Sequence, residues 1–439
     1  MPNGRNSPGL QDTAITFVSQ GASLVLGLAT QSALAWWLGT AGRGSYAACM
    51  VYVTILNVLF VVGFDVAIEV FVASRRLTVS EGITDTFVWG TLSSLLAVAA
   101  GAVALLFPFP LFEKASHGQF LLAIVSMPLG FMAIILLRFP SALGRFGTAA
   151  IVNVGQLVLQ LGLTLAFVVG LGWGVAGAIA AGAVTNAAVL VSVPVLLRRG
   201  GGWNWVPPTM QRLRATWAFG LRYYIGKISN LANVEMGTVV VSMFVGREEI
   251  GLFALASTVC ARAEFVPNVL SMVILPRVAS AEGGRPELVA QCARVTGATC
   301  GALLGFLVLF AHPLVKILFS PAFLPAVPLI RIIAAGTLIR CVAKVVVPYM
   351  VSRNRPGLAS AAVFAGMVVN IGVMLLFLGR FGLPAAAAGV ALSHLVSSAI
   401  LLFGFRSMSG VPLGRFWTFD RDDWNPVVRA ARGLRIAGL

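Results

Sequence analysis

The chain has 439 residues, of which 58% are hydrophobic and only 10% are charged. This composition leaves too little polar surface to face water on all sides, so part of the solvent must be lipid. A water-soluble domain of any size is therefore excluded. The formal net charge is nevertheless +16, so an account of the chain must also explain where these cations lie.

Apolar stretches recur from Ile15 to Leu402 with short polar breaks between them. A helix needs roughly 20 apolar residues to cross the hydrocarbon core of a bilayer. The first stretch has span length and no secretory signal precedes it, so we expect it to be retained. The pattern predicts an all-α polytopic membrane protein with about twelve transmembrane helices, over residues 14–37, 46–73, 85–107, 118–138, 148–170, 174–196, 216–244, 250–276, 293–319, 327–350, 357–379 and 384–405.

Arginine and lysine residues fall unevenly on the two sides of this map. The side that holds both termini carries 20 of them in its loops, and the other side carries 5. The positive-inside rule makes the richer side cytoplasmic. The net charge is thus explained as a topology signal, and because the cations are spread over many short loops, no nucleic-acid partner is expected.

The longest polar segment between spans, Arg198 to Thr216, divides the chain into two halves of six predicted spans. The halves match at a nearly constant offset. Gly39 matches Gly246 at an offset of 207 residues, and Gly177 matches Ala386 at 209. At an offset of 210 residues, Gly144-Arg145-Phe146-Gly147 matches Asn354-Arg355-Pro356-Gly357. Six spans per half preserve orientation, which predicts two parallel repeats with a central cavity between them. The expected domains are an N-terminal bundle (1–197), a cytoplasmic linker (198–215), a C-terminal bundle (216–406) and a basic cytoplasmic tail (407–439).

The loop after the first span reads Leu38-Gly39-Thr40-Ala41-Gly42-Arg43-Gly44-Ser45-Tyr46, and an apolar span with Gly63 and an acidic pair follows. This motif and the topology resemble the multidrug/oligosaccharidyl-lipid/polysaccharide (MOP) exporter superfamily, and within it the bacterial polysaccharide-biosynthesis flippases. The resemblance implies a V-shaped pair of six-helix bundles that rock around a central cavity in the bacterial inner membrane. It also implies a lipid-linked oligosaccharide as substrate, with membrane lipids and polysaccharide assembly proteins as partners.

The tail from Ser407 to Leu439 departs from the peptidoglycan-precursor flippases of this superfamily, which usually carry two further spans. It is polar and basic, with Trp417 and Trp424. Arginines meet anionic lipid and tryptophans sit at headgroups. The tail therefore predicts an interfacial segment on the cytoplasmic leaflet.

Ionisable residues inside the spans are candidates for function, because a charge at the centre of a membrane helix costs about 2.5 to 3.5 kcal/mol. Counted from the span ends, Arg262, Glu264 and Arg340 lie deepest. Arg340 and Lys344 are four residues apart and share a helix face. The candidate substrate-binding cations are Arg340, Lys344, Arg262 and Lys227, and the candidate coupling or charge-balancing carboxylates are Asp65, Glu69, Glu264 and Glu235.

Several of these residues have two interpretations. Asp65 and Glu69 share a face of the second span. They either couple transport to protons or ions, or neutralise buried cations of the same bundle. In the second case Arg75 or Arg76 is the expected partner of Glu69. Glu264 either serves the site or holds Arg262 in a structural pair. The polar run from Lys227 to Glu235 is typical of a cavity wall, with interhelical hydrogen bonding as the alternative. His394, isolated on the last span, favours a structural hydrogen bond to a neighbouring helix over a proton relay.

The substrate that this charge pattern fits best is a pyrophosphate-linked lipid. Arginine holds phosphate oxygens in a bidentate fork and stays charged when partly buried. The excess of cations therefore favours a flippase over a cation-coupled antiporter for organic cations of the same superfamily. A membrane-embedded sugar polymerase or ligase is disfavoured, because the outside loops are short and no nucleophile–base pair, metal cluster or phosphate loop appears. We expect no enzymatic activity, no cofactor and no metal, and the five cysteines are expected to pack as small apolar residues.

Overall fold

The structure, a computed structural model, describes residues 10–198, 204–268, 286–353 and 355–416, together with Thr418. All regular elements within these ranges are helices, which confirms the predicted all-α class. The chain forms two compact units, Met1–Ile228 and Ser229–Leu439. The predicted tail lies outside the described residues beyond Thr418.

The first unit is a bundle built around a long first helix, α1 (Leu10–Val61). Gly39 interrupts α1 with a φ of 65°, a left-handed value that suits glycine, at the loop predicted between the first two spans. The other helices are α2 (Phe64–Ala73), α3 (Val79–Ala104), α4 (His117–Leu136), α5 (Phe139–Ala142), α6 (Phe146–Thr164), α7 (Gly174–Arg198) and the start of α8 (Met210–Phe244).

The second unit continues from the middle of α8. Its helices are α9 (Arg247–Ala261), α10 (Pro286–Leu309), α11 (Ala311–Phe319), α12 (Val327–Lys344), α13 (Val347–Ser352), α14 (Pro356–Phe381) and α15 (Leu383–Ser409). A 3₁₀ turn over Arg262–Glu264 follows α9 directly. The predicted tail thus starts as helix, because α15 continues to Ser409.

Ten helices of the described residues are long and apolar enough to cross a membrane, against twelve predicted spans. The first of them, Val18–Val61, has 44 residues and covers most of the first predicted span and the first part of the second, on either side of Gly39; the second predicted span continues into α2. The seventh predicted span falls on α8, where only Glu235–Phe244 is a sizeable apolar helix. The remaining predicted spans each overlap one of the ten helices, and residues 269–276 of the eighth lie outside the described residues.

The exposed and buried side chains are distributed as expected for helices that face lipid. Large apolar residues face outward, including Leu95, Val125, Ile151 and Leu376, which are 59–76% exposed. Small polar residues such as Ser93 and Thr337 are buried and hydrogen-bond to carbonyls within their own helices. Packing through small residues, with apolar faces turned outward, is the arrangement expected of membrane helices.

The helix starts of the second unit repeat those of the first at the predicted spacing. Four pairs of helices begin 207 to 210 positions apart: Val79 and Pro286, His117 and Val327, Phe146 and Pro356, and Gly174 and Leu383. The irregular backbone at Gly39 and the extended N-cap at Gly246 are likewise 207 apart. These pairs extend the repeat seen in the sequence, and the superposition of Gly44 on Gly251 remains a prediction.

The first unit ends at Ile228, inside α8, whereas the sequence places the start of the second half at residue 216. The reason is a close contact between α8 and the start of α2. A Cβ atom on Gly63 would lie 2.4 Å from the carbonyl oxygen of Gly220, so glycine is needed at this crossing. Phe219 stacks obliquely on Phe71, and Tyr224 donates to the carbonyl of Leu59. These contacts hold the first turns of α8 in the first unit.

Candidate functional site

Three of the predicted site residues form one charged cluster in the second unit. Arg340 Nε lies 2.8 Å from Oε1 of Glu264, and Lys344 Nζ donates to its Oε2 at 2.9 Å. One carboxylate therefore contacts two cations, which leaves the cluster with one surplus positive charge. The predicted shared face of Arg340 and Lys344 is confirmed, since both reach the same partner.

The alternative pairing of Glu264 with Arg262 is wrong. In a 3₁₀ turn of three residues per turn, residues two apart are rotated by about 240°, so the two side chains leave different sides of the backbone. Arg262 is half-buried and makes no ion pair with any described residue.

The backbone loses regular α-helical geometry where these charges lie. Arg262–Glu264 is a 3₁₀ turn within a long helical segment, and α12 ends at Lys344, before α13 begins at Val347. Mid-helix 3₁₀ turns often mark functional positions. The cation of Lys344 also lies at a helix C-terminus, where the helix dipole stabilises positive charge.

A small cavity of about 100 Å³ adjoins this cluster within the second unit. It is lined by residues from α8, α9 and the 3₁₀ turn after it, α12, α14 and α15, among them Ser257, Glu264, Arg340, Asn370 and His394. Nδ1 of His394 has no hydrogen-bond partner among the described residues. The hydrogen bond to a neighbouring helix predicted for His394 is therefore not made by this nitrogen.

The acidic pair of the first unit contacts Arg138, the last residue of the predicted span 118–138. Arg138 lies 3.9 Å from a carboxylate oxygen of Asp65 and 3.5 Å from one of Glu69. Asp65 is fully buried in the first turn of α2, while the side chain of Arg138 is 46% exposed. The ion pair of Glu69 is thus with Arg138 rather than with Arg75 or Arg76.

A second ion pair of the first unit, absent from the sequence prediction, fixes the start of α8. Arg212 donates to both oxygens of Asp85 at 2.7 and 2.6 Å, and its third nitrogen lies 3.4 Å from Glu81. Asp85 is fully buried in α3. The bidentate hydrogen bond to Asp85 raises the pKa of the Arg212 guanidinium above its ordinary value.

Two predicted residues remain, Lys227 and Glu235. The side chain of Lys227 lies outside the described residues. Glu235 is half-buried on α8 and has no ion pair with a described residue. Sequence reasoning missed Ser257 and Asn370 at the cavity, although Asn370 is a lone amide in an apolar span, which is a usable signal.

The fold and these clusters can now be compared with known proteins. A family model described as a polysaccharide biosynthesis protein matches residues 10–282. The chain belongs to this family. Its fold is that of the multi-pass MOP superfamily transporters described next, as the sequence resemblance implied.

Three solved structures illustrate the shared fold. The lipid II flippase MurJ in an inward closed conformation is 13% identical, with a TM-score of 0.74 and 96% of each chain covered. A MOP superfamily transporter from Pyrococcus furiosus is 14% identical, with a TM-score of 0.65, covering 93% of this chain and 99% of that one. An outward-facing multidrug resistance MATE family transporter is 15% identical, with a TM-score of 0.65, covering 92% and 97%. No curated protein matches in sequence.

Proposed function

We propose that this member of the polysaccharide biosynthesis family flips a lipid-linked oligosaccharide, joined to its lipid through pyrophosphate, across the bacterial inner membrane by alternating access. The observation that carries the proposal is the charge balance of the cluster in the second unit. Arg340 and Lys344 are set against the single carboxylate of Glu264, which leaves one surplus positive charge. Such an excess of cations suits an anionic headgroup and disfavours an organic cation.

We assign different roles to Arg262, Lys344 and Arg340. Arg262 makes no ion pair with a described residue, and the side chain of Lys344 is 33% exposed, so both can meet the pyrophosphate. Arg340 is 15% exposed and is oriented by Glu264. A fixed guanidinium presents its remaining N–H groups without losing side-chain entropy when the substrate arrives.

The proposal is tested in cells from which the gene has been deleted. Lipid-linked oligosaccharide should accumulate, and its sugar should be protected from a membrane-impermeant oxidant in intact cells. Expression of the wild-type chain from a plasmid should restore access to the sugar. Wild-type amounts of accessible lipid-linked sugar in the deletion strain would contradict the proposal.

We further propose that both termini face the cytoplasm, on the basis of the 20 to 5 distribution of arginine and lysine. In a chain without its native cysteines, Asn204→Cys should resist an impermeant maleimide in intact cells and react after permeabilisation. Glu113→Cys, in a predicted outside loop, is the matched control and should react in intact cells. Labelling of Asn204→Cys from outside would overturn this topology.

The acidic pair of the first unit is proposed to couple transport to an ion or proton. Asp65→Asn and Glu69→Gln should reduce transport more than they reduce the amount of folded protein. The physical reason is that Arg138 is half-exposed and each variant leaves it one carboxylate, so stability changes little. Transport and folded protein are measured in the same cells, with Glu113→Gln as an exposed control. A proportional fall of both quantities would indicate a purely structural pair.

A further inference from the structure

The geometry points to a binding site for a small monovalent anion of the halide class in the small cavity of the second unit. The cavity has a volume of about 100 Å³ and is lined by residues of that unit. Ligand pockets for drug-sized molecules have volumes of about 300 to 1,000 Å³. A sugar-bearing headgroup therefore does not fit inside the cavity, although Arg340 and Glu264 belong both to its lining and to the charged cluster of the proposed substrate site.

Unpartnered polar atoms converge on this cavity. Ser257 Oγ, Asn370 Oδ1 and His394 Nδ1 are buried and have no hydrogen-bond partner in the protein. Arg340 Nε contacts Glu264 at 2.8 Å, but its N–H group is not aligned on that oxygen and makes no hydrogen bond. Asn370 is only 2% exposed. Buried polar groups are rarely left unpaired, so a ligand that satisfies several of them at once is expected.

All four groups can donate to an anion. The hydroxyl of Ser257 and the guanidinium of Arg340 are donors, and neutral His394 donates from Nδ1 in one tautomer. The amide oxygen and nitrogen of Asn370 exchange places on rotation, so its NH₂ group can face the cavity. Donors from α9, α12, α14 and α15 would thus surround a single bound ion.

Charge selects an anion over a cation. Among the described residues that line the cavity, Glu264 is the one carboxylate, and its two oxygens already contact Arg340 and Lys344. The other ionisable residues described in the lining are Arg340 and His394, and the cluster of Glu264, Arg340 and Lys344 carries a surplus positive charge. An anion in the cavity neutralises that surplus in a medium of low dielectric constant.

The test is the thermal stability of the purified full-length protein in matched salts. Sodium chloride, choline chloride and sodium bromide should raise Tm with a saturable concentration dependence, and sodium gluconate should not. Asn370→Leu should weaken the apparent halide affinity on the order of tenfold or more, because one donor to a charged ligand is lost. If Asn370→Leu does not fold, Ser257→Ala provides the second variant, with a weakening in the same direction.

Asn57→Leu is the matched control, because Asn57 also has an unpartnered buried amide oxygen but belongs to the first unit. It should keep the halide-dependent rise in Tm. An equal rise in sodium gluconate would identify a cation site, and no dependence on salt would identify a cavity for water alone. Either result, or a halide effect unchanged by Asn370→Leu and Ser257→Ala, would overturn the proposal.

Discussion

Arg340→Gln is expected to abolish flipping of a labelled lipid-linked sugar, while Arg340→Lys keeps part of it. Arg340 is nearly buried and oriented by Glu264, so its guanidinium presents a fixed fork to phosphate oxygens. Glutamine removes the charge, and lysine restores a point charge without the fork. Loss of one charge-assisted hydrogen bond costs about 1.5 to 3 kcal/mol, and a bidentate contact loses two. Flipping rates measured in proteoliposomes should therefore fall by about a hundredfold or more in Arg340→Gln.

The control for this prediction lies on the same helix. Arg331 is exposed on α12, and Arg331→Gln should flip at close to the wild-type rate. Arg340→Gln should still fold, because Glu264 keeps Lys344 as a partner at 2.9 Å. Wild-type flipping by folded Arg340→Gln would remove Arg340 from the substrate path.

Arg212→Leu is expected to cause the largest loss of stability among the charge variants. Breaking a buried ion pair by removing one partner costs about 3 to 5 kcal/mol, because the other charge stays buried without compensation. Asp85 is fully buried, and Arg212 provides both of its short hydrogen bonds. The expected result is a fall of about 3 kcal/mol or more in the free energy of unfolding, measured in mixed detergent micelles.

Arg214→Leu is the matched control, two residues further along α8, exposed and without an ion pair among the described residues. It should leave the free energy of unfolding almost unchanged. The double variant Asp85→Leu with Arg212→Leu should recover most of the loss, because neither charge is then stranded. Equal losses of unfolding free energy for Arg212→Leu and Arg214→Leu would contradict the assignment of Arg212 and Asp85 as a stabilising buried ion pair.

The helices and their breaks were largely predictable, because span length and glycine position follow from the sequence. Gly39 marks the break in α1, and the repeat offset anticipates the helix starts of the second unit. The seventh span was harder to delimit. Its first turns pack on α2 at Gly63 and Gly220, a long-range contact that hydropathy does not record.

The ion-pair partners could be predicted only in part. Helical spacing places Arg340 and Lys344 on one face, but the approach of Glu264 depends on how α9 packs against α12. Arg138 ends the predicted span 118–138, and its contact with Asp65 depends on the turn after α4 ends at Leu136, which the sequence does not indicate. The cavity could not be foreseen, since it is formed by residues from five helices that are distant in the sequence.

The measurement that tests the central claim most directly is substrate selectivity in proteoliposomes that contain only this protein. The substrates are one oligosaccharide on a polyprenyl pyrophosphate, the same oligosaccharide on a neutral lipid, and a lipophilic organic cation. The account predicts protein-dependent flipping of the pyrophosphate-linked sugar, little movement of the neutral analogue and no transport of the cation. Transport of the organic cation without flipping of the pyrophosphate-linked sugar would contradict the account and identify a multidrug antiporter instead.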